Sequence, residues 1–214
     1  MSLAYSPLVG FQGEKAAQVS AKFVERAGGR MDKLKLIKLV YLFERESFRR
    51  RRRPALYDEY YSLKDGPICS SSLNGINGDL GPIWSQYIQK DGKKDIFRSD
   101  SAKDDRISAS DAEIIDDLWN QFCNMSASQI RNWTHDNCPE YTEVPQGRKP
   151  ITVRQLAEAL EISDVDAVER EIDEFRSLSL ILDDSCRQAL SATLFRIPEP
   201  DRRTTAPGPT NALF

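Results

Sequence analysis

Residues 33–54 limit the possible folds more than any other part of the chain. Their apolar side chains form two adjacent helical stripes: Leu34, Ile37, Tyr41 and Phe48 on one, Leu36, Val40 and Phe43 on the other. A surface helix needs only one such stripe. Two stripes therefore predict a largely buried central helix over 33–52. Asp32 stands where a cap belongs. The arginine run 49–53 brings cations to the negative end of the helix dipole, and Pro54 stops the helix.

Helical signals dominate elsewhere. Residues 12–26 place Ala16, Val19, Phe23 and Val24 on one face, and Gly28-Gly29 follows as a C-cap. Capping-box spacings predict helix starts at Ser110 with Glu113, Ser126 with Gln129, and Thr152 with Gln155. A longer amphipathic helix begins at Ser163 or Asp164, and a last helix is expected over 184–195. The aromatic-rich stretch 56–63 is the best strand candidate. Gly66-Pro67 reads as a turn, 68–76 as a short helix ending at Asn77-Gly78, and 84–88 as another helical turn. The polar stretch 91–107 reads as a loop with a short strand at Ile96-Phe97. The expected architecture is mainly α: a compact helical domain over 12–145 with a small β element, an accessory helical unit over 150–197, and a proline-rich tail over 198–214.

The chain has 40% hydrophobic and 29% charged residues, which suits a globular protein. No apolar run approaches the ~20 residues of a membrane helix. The first residues lack the basic flank and apolar core of a secretory leader. Cys69, Cys123, Cys138 and Cys186 are widely spread and read as reduced thiols, which fits a cytoplasmic protein. The net charge of −3 balances 30 Lys+Arg against 33 Asp+Glu, which excludes a globally basic nucleic-acid binder. It conceals a basic N-terminal block and an acidic C-terminal one, of the kind that pair with each other or with a partner of opposite sign.

The run LKLIKLVYLFERESFRR, followed by DEYYSLKDGPICSSSLNGI, resembles the Panacea domain of SocA-like antitoxins and phage-associated GepA-like proteins. The segment SASQIRNWTH, from Ser126 to His135, is similar to the family's later helix, which ends in a Thr-His pair. The resemblance covers about 15–143. Ile37, Asp65, Ile68 and the five arginines depart from the family's usual residues at those places. The resemblance implies an antitoxin that neutralises a cognate toxin by direct contact or by delivery to a cellular protease. The second reading is a regulator that binds nucleic acid through the arginine run.

Partner-binding candidates are Lys38, Arg45, Arg49, Asp58, Tyr60, Gly66, Pro67 and His135. Lys38 lies inside an apolar helix, so it must reach solvent or find an anion; Asp58 and Glu59 are the candidates. A structural ion pair and a ligand site both remain open for it. His135, the one histidine, makes His-x2-Cys with Cys138, but no fourth ligand is spaced for zinc. The resemblance puts His135 at a helix end, where an imidazolium suits the dipole and bonds the last carbonyls. No catalytic constellation and no cofactor motif stand out. Residues 152–175 have helix-turn-helix spacing, yet the second helix carries mainly carboxylates, which phosphates would repel.

Overall fold

The computed structural model describes residues 8–194, with side chains through residue 182. Helix α1 (Gly13–Arg26) ends where Gly28 and Gly29 take positive φ. Strand β1 (Arg30–Asp32) runs into α2 (Lys33–Arg51), the helix expected over 33–52. The Asp32 carboxylate accepts the amides of Leu34 and Lys35 at 2.8 and 3.2 Å. Arg52 leaves the helix in the left-handed region.

The strand expected over 56–63 shrinks to β2 (Tyr60–Leu63). Glu44 accounts for the difference, because its carboxylate binds the amides of Ala55 and Leu56 and holds that stretch away from any sheet. Tyr57 then turns the chain at φ 53°. Ile68 belongs to strand β3 (Gly66–Cys69), opposite Tyr61, and not to a helix. Helix α3 (Ser70–Asn77) starts only where the Asp58 carboxylate accepts the amides of Ser71 and Ser72.

After α4 (Pro82–Ser85), strand β5 (Asp95–Arg98) contains the short strand expected at Ile96-Phe97, and β4 (Ile88–Asp91), which was not expected, forms a hairpin with it. Three of the four β4 residues are exposed, so no alternation marked it. Helix α5 (Ala109–Phe122) begins two residues before its expected start, with Ser108 and Asp111 as the capping box in place of Ser110 and Glu113. Asp111 is also bound by Lys15 and Arg51, and those bonds favour that register. Helix α6 (Ala127–Asn137) has the expected Ser126–Gln129 box. Strand β6 (Lys149–Ile151) precedes α7 (Val153–Ala159), which has the expected Thr152–Gln155 box. Helix α8 (Val165–Leu194) is one continuous helix where two were expected, since neither Gly nor Pro interrupts it. The tail expected over 198–214 lies outside the described residues.

The fold is mainly α, with two antiparallel three-stranded sheets among the described residues, ordered β1-β5-β4 and β3-β2-β6. Helix α2 lies at the centre, against α1, α5, α6 and β3. Both of its apolar stripes are buried except for the half-buried Leu34, with Leu36, Ile37, Val40, Tyr41, Phe43 and Phe48 all in the core. Strand β6 joins β2 through Tyr60 to Ser62. Leu156, Ala157, Val168 and Ile172 belong to the same core, and Phe175 stacks on Tyr57 with ring centroids 3.8 Å apart. Among the described residues, no helix is long and apolar enough to cross a membrane.

Candidate functional site

Lys38, Tyr41 and Arg45 occur at helical spacing on one face of α2, directed at the end of α6 and the turn after it. Lys38 is fully buried, and its Nζ donates to the carbonyl oxygen of Pro67 at 2.9 Å. Neither carboxylate expected to pair with it does so. Asp58 is committed to the amides of Glu59, Ser71 and Ser72 and to the Ser72 hydroxyl, and Glu59 is exposed. Burial disfavours the Lys38 ammonium and pushes its pKa down to about 7, with the Asp65 charge opposing the shift.

Gly66 makes this packing possible. Its φ of +96° belongs to the left-handed region, and a Cβ there would lie 2.9 Å from Lys38 Nζ and 3.0 Å from both Cδ2 and Nε2 of His135. Lys38, Gly66, Pro67 and His135 therefore converge from α2, β3 and α6. His135 does close α6, but its expected bond to the last carbonyls is absent. Asn137 Nδ2 instead donates to the Trp133 carbonyl, while His135 Nε2 is buried with no hydrogen-bond partner among the described residues. The imidazole tilts against the ring of Tyr141, centroids 4.5 Å apart. Outside this cluster, Arg131 pairs with the exposed Asp65 at 3.7 Å.

One turn along α2, Glu140 receives the Tyr41 hydroxyl at 2.5 Å and the Arg45 guanidinium at 2.7 and 3.3 Å. Burial, reinforced by the Glu140 charge, pushes the intervening Cys138 thiol up to about 12, so it stays protonated and is no nucleophile at neutral pH. Tyr60 lies apart from this group, donating to Glu44, whose carboxyl burial pushes up to about 7 against its hydrogen bonds.

Arg49 is remote and exposed, paired with Glu46. Arg50 bonds Glu46 and Asp117, Arg51 bonds Asp111, and Arg52 reaches the Ser163 hydroxyl. The basic run is thus largely held by carboxylates of α2 and α5. Among the described residues, no three His, Cys, Asp or Glu side chains are grouped to hold a metal ion.

Reading the sequence missed Glu140, Glu44 and Asp111. Glu44 had a detectable signal, as a lone carboxylate within the apolar stretch of α2. Glu140 and Asp111 sit in polar surroundings, and only the tertiary fold reveals their partners.

The segment carrying the Lys38–His135 cluster and Glu140 is also the one with a recognisable relationship. Residues 36–140, just under half of the chain, match the family model described as antitoxin SocA-like, Panacea domain. Over that segment the chain is similar to the Panacea domain of SocA-like antitoxins. No curated protein and no solved structure matches the chain. The Panacea match begins within α2 and ends on Glu140, so it spans the whole polar stripe and the residues that face it. Strand β6 and helices α7 and α8 lie beyond it.

Proposed function

We propose that this protein is an antitoxin that binds a cognate toxin protein and neutralises it, by blocking it directly or by presenting it to a cellular protease. The match of residues 36–140 to the SocA-like Panacea family carries this reading. It is a non-enzymatic role: the Cys138 thiol is held protonated, and the Glu140 carboxylate is taken up by Tyr41 and Arg45. Lys38, Asp58, Tyr60, Gly66 and Pro67 are buried, so they act on a partner by shaping the surface above them. That surface comprises the β2–β3 turn, with exposed Lys64 and Asp65, and the half-buried Arg131 and His135 of α6.

Co-expression with the neighbouring open reading frame in a bacterial host tests the proposal. The neighbour alone should stop growth, and the full chain should restore it. A neighbour that is harmless alone, or one that stays toxic while this protein is abundant and folded, contradicts it.

A further inference from the structure

Helix α8 starts against the body of the protein and then outruns it. Val168 and Ile172 are buried, and Phe175 stacks on Tyr57. One turn later the cover ends: Leu178, Ile181 and Leu182 are 60%, 61% and 65% exposed. These three are related by i, i+3 and i+4, so they form one apolar face. Leu180 is exposed on another side of the same turn. Glu171 and Glu174, seven and four residues before Leu178, continue its face toward the body, and both are exposed. Arg154 engages Asp166 and Glu169, but among the described residues Glu171, Asp173 and Glu174 have no ion-pair partner. Over 165–182 the helix bears Asp166, Glu169, Glu171, Asp173 and Glu174 against Arg170 and Arg176.

Three large apolar side chains on one exposed face mark a binding surface, and carboxylates leading into it select the charge of what binds. We propose that the Leu178–Ile181–Leu182 face of α8 docks a basic amphipathic helix of a partner protein. Apolar side chains of that helix cover the three residues, and its cations meet Glu171 and Glu174. A second copy of this chain is the weaker occupant, because it brings the same acidic charge to the seam. The face lies outside residues 36–140 and does not rest on the antitoxin reading.

The test uses the full chain and two synthetic helical peptides of one apolar pattern, one built from leucine and lysine, the other from leucine and glutamate. Fluorescence anisotropy should show binding of the lysine peptide alone, weakening as salt rises. Leu178→Ser with Leu182→Ser, which leaves every charge in place, should weaken it about tenfold or more. Glu171→Gln with Glu174→Gln should weaken it and flatten the salt dependence. Equal binding of both peptides, or binding that ignores the leucine variants, overturns the proposal. Binding of neither peptide also overturns it, since the face is then closed by other parts of the chain. Light scattering that shows a dimer which the leucine variants dissociate assigns the face to a second copy and likewise overturns it.

Discussion

The hydroxyl of Tyr41 donates to the carboxylate of Glu140 at 2.5 Å across 99 positions of sequence, joining the central helix to the turn that follows α6. Tyr41 is fully enclosed, and the Glu140 side chain is closed from solvent. Removing the hydroxyl leaves the buried carboxylate to Arg45 and the Cys138 thiol. Tyr41→Phe should therefore cost about 1–3 kcal/mol. Tyr41→Ala adds loss of the ring from the core and should cost roughly 3–5 kcal/mol. Urea unfolding of both variants checks the order; a neutral Tyr41→Phe would show that the bond contributes little.

Gly66→Ala should destabilise the protein by roughly 1–3 kcal/mol through its left-handed backbone alone. The added methyl also displaces Lys38 Nζ or His135, so the loss should shrink in a Lys38→Ala background. Thermal unfolding of the single and double variants measures that coupling.

Glu44 and Lys38 give opposite pH dependences on the two sides of neutrality. The folded Glu44 pKa is raised to about 7 from 4.5, so its contribution to stability is fully present below 4.5 and is lost as pH rises through 7. Burial lowers the folded Lys38 pKa to about 7 from 10.5, so between these values the unfolded chain binds more protons and stability rises with pH. Glu44→Gln should flatten the stability–pH curve between about 4.5 and 7, and Lys38→Met should flatten it between about 7 and 10.5. Urea midpoints across pH 4–10 for each variant against the parent decide the assignment.

Asp111 should govern part of the acid limb. Burial works against its charge, but hydrogen bonds from Lys15, Ser108 and Arg51 prevail and hold its carboxyl down to about 2. Its contribution is present above 3.8 and disappears as pH falls toward 2. Asp111→Asn should reduce stability at pH 7 and lose less than the parent on going to pH 2, as followed by circular dichroism.

Much of this fold was legible because its elements are locally marked. Two apolar stripes announced α2, and Ser126–Gln129 and Thr152–Gln155 announced the starts of α6 and α7. Elements fixed by distant groups were not legible. Glu44 shortens β2, Asp58 delays α3, and Lys15 with Arg51 supports the Asp111 register of α5. Strand β6 has three residues, and pairing with Tyr60 to Ser62 defines it. At the site, the motif singled out Lys38, Gly66, Pro67 and His135. Their convergence needed the fold, which also replaced the expected carboxylate partner of Lys38 with a carbonyl.

The central claim is physical association with a toxin, and the most direct measurement is co-purification from cells in which this chain restores growth against its neighbour. With protease activity suppressed, the neighbour's product should elute with the full chain as one species whose light-scattering mass fits a fixed whole-number stoichiometry. Growth restored while the intact neighbour protein remains unbound would contradict the account.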